Sequence, residues 1–164
     1  MPVELVPASS QSDGRHKISF VPAGSNALSV AILNAAPVKS MTYSFTSGGF
    51  NYTTTQATVD DKRHTAVQDF SRPGKLTDAL ELTYVDSADV NSAAVLLPAG
   101  TALQFNVRRG VDNATAYISG QIVDVLTVVL GVQRPAPPTE NGVDTLVQTA
   151  YFTAPTQRRV VLVA

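Results

Sequence analysis

Apolar and polar residues alternate along most of this chain in short runs, and the runs are separated by glycine, proline and asparagine. Alternation with period two is typical of β-strands that bury one face, and turn residues between such runs are typical of antiparallel sheets. No internal repeat is evident, and the strand-like runs do not alternate with helical ones as they would in an α/β fold. The sequence therefore predicts a mainly β protein built from antiparallel strands.

Three strands are predicted in the first part of the chain. One begins at His16 ("HKISFVPAG") and a second at Asn26 ("NALSVAILNAAP"), and each is closed by a proline turn. In the third, "KSMTYSFTS", the side chains of Met41, Tyr43 and Phe45 alternate with serine and threonine. This alternation predicts a half-buried strand with the two aromatic rings on its apolar face.

A hairpin is predicted around two adjacent glycines. Phe50 and Tyr52 alternate with polar residues in "FNYTTTQATV", so the strand pattern resumes directly after Gly48 and Gly49. Glycines between two such runs are typical of a tight hairpin turn. We therefore expect the aromatic side chains of both strands to share one buried face of this hairpin.

The charged segment "VDDKRHTAVQDFSRPGK" has little apolar surface to bury. It is predicted to be a loop that ends in a turn at Pro73 and Gly74. Strand alternation then resumes in "LTDALELTYVDS", where Leu80, Leu82 and Tyr84 alternate with polar residues. We expect these three side chains in the core.

One helix is predicted, in "DSADVNSAAVLLPAG". Its apolar line, at positions i, i+3, i+4 and i+7, consists of Val90, Ala93, Ala94 and Leu97. Asp86 or Ser87 is the expected N-cap, and Pro98 is the expected stop. Because the helix is short and apolar on one side, it is expected to pack on a sheet.

The remaining apolar runs are predicted to be strands, apart from the proline-rich connector "RPAPPTENG". These runs are "TALQFNVRRG", "TAYISGQIVDVLTVVLGVQ", "DTLVQTAYFTAP" and "RRVVLVA".

Asp124 lies among apolar residues of the second run, where an unpaired buried carboxylate is costly. It is therefore expected to pair with an arginine or to mark a bulge. The last residues, Val160 to Ala164, are apolar, which is unusual at a chain end, so we expect another surface to cover them.

Composition adds several constraints. The 164 residues fit a single domain, 1–164, and only 15% of them are charged, so much of the surface is neutral and suited to being covered. A net charge of -1 provides no general attraction for nucleic-acid phosphates or an acidic membrane. The chain has no cysteine, no secretory signal and no long apolar run. These absences are typical of a soluble protein without disulfides or a membrane segment.

Candidate chemistry is sparse. The two histidines are His16 and His64, and the second lies beside Asp60 and Asp61. One loop histidine beside carboxylates does not supply the three or four convergent ligands of a zinc or iron site. No nucleophile elbow or phosphate-binding glycine loop is present. We therefore expect no catalytic residue, no metal and no cofactor, and the protein is not predicted to be an enzyme.

Two arginine pairs are candidates for charge interactions. Arg108 and Arg109 end a predicted strand, so alternation places one side chain on each face. Contact with phosphate is one interpretation, and a solvated or ion-paired rim is the one we favour. The pair Arg158 and Arg159 has the same two interpretations.

Several segments in order resemble a known family. They are "RPGKLTDALELTYVDS", a short helix, "PAGTALQFNVRRG" and "VLTVVLGVQRPAP", and the likeness covers roughly residues 38 to 140. This order resembles the major tail tube protein of long-tailed bacteriophages. The resemblance implies an antiparallel β-sandwich with one short α-helix, whose subunits form hexameric rings with a shared inner β-barrel. The rings stack into a tube through which double-stranded DNA passes without sequence recognition.

The resemblance also implies roles for particular residues. Lys39–Phe45 and Phe50–Ala57 correspond to a barrel hairpin, and Thr58–Gln68 corresponds to a loop that reaches a neighbouring subunit, within an assembly loop at about 46–68. The residues implied in self-assembly are Tyr43, Phe45, Gly48, Gly49, Phe50, Tyr52, Asp60, Asp61, Lys62 and Arg63. The candidates for charge in the lumen or between subunits are Asp124, Arg108 and Arg109.

The resemblance further implies a virion component, made in the cytoplasm of the host bacterium, with other tail proteins at the tube ends. Tubes of this family tend to have acidic lumens, yet no carboxylate occurs from Lys39 to Val59. Asp60, Asp61 or Asp124 would then supply the charge, or serine and threonine would form a neutral wall. Two alternatives remain: a tail terminator or capsid decoration protein, and a carbohydrate-binding β-sandwich that uses the hairpin aromatics to stack sugars.

Overall fold

A computed structural model of the protein describes residues 9, 11–35, 38–64 and 67–164. The start of the chain, the last two residues of the strand predicted from Asn26, and residues 65–66 of the predicted loop lie outside this description. Strands make up 50% and helices 7% of the structure, and the sheet is antiparallel. The prediction of a mainly β, antiparallel protein is therefore confirmed.

The secondary structure comprises nine strands, two short helices and one 3-10 turn within the described residues. The strands are β1 (His16–Pro22), β2 (Lys39–Ser40), β3 (Phe45–Asp61), β4 (Phe70–Val85), β5 (Ala102–Arg109), β6 (Ile122–Leu130), β7 (Arg134–Pro135), β8 (Thr145–Phe152) and β9 (Gln157–Val161). The helices are α1 (Val30–Leu33) and α2 (Ala93–Leu96), and the 3-10 turn is Thr42–Ser44.

The chain divides into two compact units, which are described one at a time. The first unit consists of Met1–Tyr43, Ala102–Thr127 and Ala154–Ala164. In it, β1 pairs antiparallel with β2 on one side and with β5 on the other, and β9 pairs with β6. Its buried core consists of Val21, Ala27, Leu33, Tyr117, Val123, Val125 and Leu162. The strands predicted at His16 and in "TALQFNVRRG" and "RRVVLVA" are thus confirmed.

The second unit consists of Ser44–Thr101 and Val128–Thr153. Its strands follow the order β3, β4, β8, and β8 also pairs with β7 and with the end of β6. Leu80, Leu82 and Tyr84 are buried, as the alternation in β4 predicts. Strand β8 confirms the prediction for "DTLVQTAYFTAP".

The predicted hairpin turn at Gly48 and Gly49 is wrong. Both residues lie inside β3, which pairs with β4, and the register of this pairing shifts between Phe45 and Phe50. Gly48 has a φ of 72°, and a Cβ added at Gly49 would overlap the carbonyl oxygen of Thr83. The two glycines therefore permit a bulge in a long strand, where sequence alone indicates a turn.

The turn predicted at Pro73 and Gly74 is also wrong. Strand β4 begins at Phe70 and includes both residues. The β3–β4 register shifts beside Pro73, and a proline, which has no N–H to donate, is tolerated in a strand at such an irregularity. Strands β3 and β4 are instead connected by residues 62–69, of which the structure describes 62–64 and 67–69.

Two predictions early in the chain also fail. No strand begins at Asn26, because Val30–Leu33 forms α1, and the periodicity of a short apolar run does not distinguish strand from helix. The 3-10 turn Thr42–Ser44 interrupts the alternation predicted around it. As a result Met41 is 2% exposed, whereas Tyr43 is 86% exposed.

The predicted helix is present but shorter. Helix α2 has four residues and its N-cap is Ser92, so the predicted caps Asp86 and Ser87 lie in the irregular segment before it. Val90 stays outside the helix and is 72% exposed, contrary to the prediction. The buried members of the predicted apolar line are Ala93 and Leu97.

Two glutamine side chains, the buried Gln148 and the half-buried Gln133, hold α2 against the second unit's sheet. Gln148 of β8 donates a hydrogen bond to the Leu97 carbonyl (3.1 Å) and accepts one from the Tyr84 hydroxyl (3.1 Å). Gln133 donates to the carbonyls of Ala94 (2.9 Å) and Leu97 (3.0 Å). A four-residue helix is not stable alone, so these hydrogen bonds and the burial of Leu97 maintain it.

We expect Gly49→Ala to destabilise the protein by about 1 to 3 kcal/mol, because the added methyl group overlaps the backbone of β4. Gly48→Asn is the matched control, since asparagine tolerates a positive φ and no atom lies within 4 Å of the added Cβ. Thermal unfolding measures both variants. Equal stability of the two variants would contradict the bulge.

Leu97→Asp is expected to destabilise by about 3 kcal/mol or more, because it buries a carboxylate among apolar side chains. Val95→Asp should cost less than about 1 kcal/mol, since Val95 lies on the exposed side of α2. Denaturant unfolding of the two variants distinguishes them. Similar losses would show that the helix faces are misassigned.

Candidate assembly surface

Strand β3 is an open edge of the second unit's sheet. Strand β4 pairs with one side of it, and no strand in the described ranges pairs with its other side. Between Asn51 and Asp60 every residue except Tyr52 is exposed. The sequence from Ser40 to Val59 contains neither a charged residue nor a proline, the usual devices that keep an edge strand from pairing. This edge is therefore suited to accept another strand.

The two faces of the β3–β4 hairpin differ in chemistry. The exposed face carries the cross-strand pairs Asn51 with Glu81, Thr53 with Ala79, and Thr55 with Thr77. On the other face, Phe50 and Tyr52 lie half-buried opposite Leu82 and Leu80. The hairpin thus presents a hydroxyl-rich wall with one carboxylate, and it packs its apolar face within the unit.

Most of the predicted aromatic cluster is packed within the unit. The rings of Phe45 and Phe50 meet edge to face with centroids 5.5 Å apart, and Phe45 also meets Tyr84 at 6.2 Å. Tyr52 lies 5.9 Å from Phe152. Rings packed in this way stabilise the hairpin. They do not form the flat exposed platform that sugar stacking requires.

A polar contact that sequence reasoning missed joins the two hairpin strands. The Tyr52 hydroxyl and the Thr54 hydroxyl both donate to Oδ1 of Asp78, at 3.2 and 2.6 Å. Cross-strand contacts of this kind help to set the strand register. The alternation of the sequence predicts which face of the strand carries Asp78, but it does not predict the hydrogen-bond partners of its carboxylate.

The predicted assembly loop is mostly strand. Residues 46–61 belong to β3, and residues 62–69 connect this strand to β4. At its base, Oδ1 of Asp61 lies 2.8 Å from Nε of Arg63 and Oδ2 lies 2.6 Å from Nη2 of Arg72. Hydrogen bonds from Arg63 and then Arg72 lower the pKa of Asp61. Both arginines are exposed, so these contacts orient the turn more than they stabilise the fold.

The distal part of the hairpin also exposes apolar side chains. Those of Val59, Phe70 and Leu76 are about half exposed or more, and Val67 in the turn is fully exposed. Exposed apolar side chains that cluster on one element are typical of a surface that a partner covers. Asp60 and Lys62, both predicted in assembly, are exposed beside them.

Arg108 has a role that the sequence did not predict. It is fully buried in the first unit, so its side chain does not reach a lumen or a second copy from there. Nη1 donates to the Ala116 carbonyl and the Gln121 side chain, both at 3.0 Å. Nη2 donates to the carbonyls of Asp112 (2.7 Å) and Thr115 (2.9 Å). The guanidinium thus organises the segment 112–121, and β6 begins directly after it at Ile122.

The ring of Tyr117 covers the Arg108 guanidinium. Cζ of Arg108 lies 5.0 Å from the ring centroid, and Nζ of Lys17 lies 5.1 Å from it. The Tyr117 hydroxyl donates to Oγ of Ser19 at 2.9 Å. Burial lowers the pKa of Arg108, but a guanidinium stays charged even so. The cation–π contact and the carbonyl acceptors stabilise this buried charge.

Arg109 points the opposite way and is exposed, as alternation predicts. Its Nη2 lies 3.7 Å from Oδ2 of Asp124, and Oδ1 of Asp124 accepts a hydrogen bond from the Arg159 backbone N–H at 2.7 Å. The β6–β9 register shifts between Val123 and Val125. Asp124 therefore both pairs with an arginine and lies at an irregularity in the strand pairing.

The last residues are partly covered by the chain itself, since Leu162 is buried.

Two further features are absent from the described residues. Within the ranges described, no group of three or more His, Asp or Glu side chains converges as metal ligands. None of the helices in that part of the chain has the length and apolar character needed to cross a membrane.

Comparison with known proteins points to one family. A family model described as "Phage tail tube protein" matches residues 4–164, nearly the whole chain. No curated protein matches the chain.

We expect Arg108→Met to destabilise the protein by about 3 kcal/mol, because it leaves buried acceptors without a donor. Arg109→Met, the neighbouring change, should cost less than about 1 kcal/mol, since it removes one exposed contact. Denaturant unfolding provides both values. A loss at Arg109 equal to that at Arg108 would contradict the anchoring role.

Proposed function

Because the chain belongs to the phage tail tube protein family, we propose that its copies form hexameric rings that stack into the tail tube and conduct DNA during ejection. The resemblance drawn from the sequence is confirmed at the level of the family. A phage tail tube protein is a structural component of the virion, and it assembles with other tail subunits. Rings, stacking and the conduction of DNA are the parts we propose.

The observation that carries the proposal is the open edge of β3. An exposed strand of this length, without charges or proline along most of it, is a template for pairing with another chain. Closing sheets from several copies into one barrel removes every such edge. We therefore assign β3, β4 and β8 to the shared barrel.

The exposed face of the hairpin is the proposed wall of the conduit. Its opposite face packs Tyr52, Leu80 and Leu82 within the unit, so only the face with Thr53 and Glu81 remains to meet solvent and DNA. Hydroxyl and amide groups give that wall little attraction for phosphates. Glu81, rather than Asp60 or Asp61, would place one carboxylate per subunit on this wall.

The distal hairpin is the proposed contact with a neighbouring copy. Ordering the turn 62–69 costs about 1 to 2 kcal/mol per residue in backbone entropy. A free subunit recovers little of this cost there, because Val67 and Phe70 are exposed. A neighbouring copy that buried both side chains would offset it.

The prediction that residues 1–164 act as one tail tube domain is kept in this proposal, because the family match spans both compact units. Other tail proteins are expected at the two ends of the tube.

We expect the double variant Val67→Ser and Phe70→Ser to fold normally but to form no tubes, because it removes apolar contacts made only between copies. The matched control is Val90→Ser with Val132→Ser, which changes two other exposed apolar side chains outside the hairpin. Negative-stain electron microscopy detects rings and tubes, and circular dichroism checks folding.

Wild-type and control protein should both form tubes with a central hole. A wild-type protein that stays monomeric when concentrated would overturn the proposed function. Tubes of normal length from the hairpin variant would remove the distal hairpin from the interface.

A further inference from the structure

A groove of about 300 Å³ lies across three strands of the first unit, β5, β6 and β9. Two arginines, one aspartate and three apolar residues line it: Arg109, Arg159, Asp124, Val107, Ile122 and Val123. Two guanidinium groups and one carboxylate leave an excess of positive charge at this place. The groove therefore has the room and the charge for a small group with a single negative charge.

The backbone of Arg159 is held in a conformation that arginine rarely adopts. Its φ is 52°, and the other non-glycine residue with a positive φ in the described ranges is Asn141. This left-handed region favours glycine and tolerates asparagine, whereas it is unfavourable for arginine. Glycine would be the expected residue if position 159 served the fold alone. An arginine in its place indicates that the side chain has a use.

Asp124 stabilises that conformation. Its Oδ1 accepts a hydrogen bond from the Arg159 backbone N–H at 2.7 Å, and its side chain is only 16% exposed. The β6–β9 register shifts at the same point, between Val123 and Val125. An irregularity of this kind redirects the side chains next to it. Asp124 is thus a positioning residue that holds Arg159 at the groove.

Both guanidinium groups have donors left for a ligand. The Arg109 side chain is 56% exposed, and its Nη2 lies 3.7 Å from Oδ2 of Asp124, which is too long for a hydrogen bond. The Arg159 side chain is also exposed, and it makes no hydrogen bond or ion pair with any residue that the structure describes. A carboxylate that entered the groove would meet both arginines and could accept hydrogen bonds from each.

Apolar surface beside the groove indicates which kind of ligand fits. Ile122 lines the groove and is 47% exposed, and it lies opposite Val161, which is 51% exposed. A peptide can place an apolar side chain on this pair, whereas a sugar–phosphate backbone is polar throughout. The net charge of the chain, -1, also gives no general attraction for nucleic-acid phosphates. The surface therefore suits an acidic peptide better than a nucleic acid.

We propose that this groove binds an acidic peptide segment of a partner protein, with one carboxylate between Arg109 and Arg159 and a neighbouring apolar side chain against Ile122. This inference goes beyond the proposed function, because it requires neither rings nor tubes. The contacts proposed between copies lie in the second unit, on β3 and the distal hairpin. They leave this groove of the first unit to a different protein.

Saturation-transfer NMR tests the proposal by measuring how the blocked tripeptide valine–glutamate–valine binds to the full-length protein. The method observes the peptide, so it works with free subunits and with tubes alike. The wild-type protein should bind this peptide about tenfold more tightly than the same peptide with glutamine in place of glutamate, because only the carboxylate makes charge-assisted hydrogen bonds. A thymidine dinucleotide, which carries one phosphodiester, should bind no better than the glutamine peptide.

Variants of the two arginines separate binding from stability. Arg159→Gly should weaken binding of the glutamate peptide about tenfold, yet leave the midpoint of thermal unfolding unchanged or higher, because glycine favours a φ of 52°. Arg109→Met should weaken binding to a similar extent. The matched control is Arg134→Met, which removes an exposed arginine of the second unit and should bind like the wild-type protein.

Undiminished binding by both groove variants, or a dinucleotide that binds as well as the glutamate peptide, would overturn the proposal. Loss of tubes on replacement of Arg109 or Arg159 would also overturn it, since the groove would then join copies of this chain. A wild-type protein that binds the peptide but forms no tubes would overturn the proposed function and leave this inference intact.

Discussion

The unpaired side of β3 is the constraint on which the other features of this protein depend. A strand needs partners for its backbone N–H and C=O groups, and within the described chain β4 supplies them on one side only. Soluble monomers usually protect such an edge with charge or proline, and β3 has neither along most of its length. The chain has few charged residues, and the end of the hairpin exposes apolar side chains. Both features fit the same requirement. Under the proposed function, copies of the same chain complete this sheet.

A subunit that offers one open strand needs a rigid framework behind it. In the second unit, the buried amide of Gln148 ties α2 to the sheet that carries β3. In the first unit, the buried guanidinium of Arg108 organises the segment before β6. Both are polar groups inside apolar cores with most of their hydrogen bonds satisfied, which specifies one arrangement of the surrounding loops. Rigidity of this kind lowers the entropic cost of association.

The sequence predicts local features well where packing simply follows alternation. Leu80, Leu82 and Tyr84 are buried in β4 as expected, and the strands near the chain end lie where they were predicted.

Predictions fail where the local conformation depends on contact with a backbone segment that is distant in the sequence. Gly49 is required by the approach of β4 rather than by a turn, and proline inside a strand is acceptable only because the register shifts there. The burial of Arg108 was missed because three of its four acceptors are backbone carbonyls, which sequence patterns do not display. Of the candidate assembly residues, the exposed Asp60 and Lys62 were identifiable from the sequence, whereas the long hairpin that places them far from the core was not.

Hydrogen–deuterium exchange along β3, compared between dilute subunits and assembled protein, tests the central claim most directly. The account predicts fast exchange of the amides on the open side of Asn51–Asp60 in the free subunit, and strong protection of the same amides after assembly. Protection of those amides already in the isolated subunit, or fast exchange that persists in the assembled protein, would contradict the claim that another copy completes this sheet.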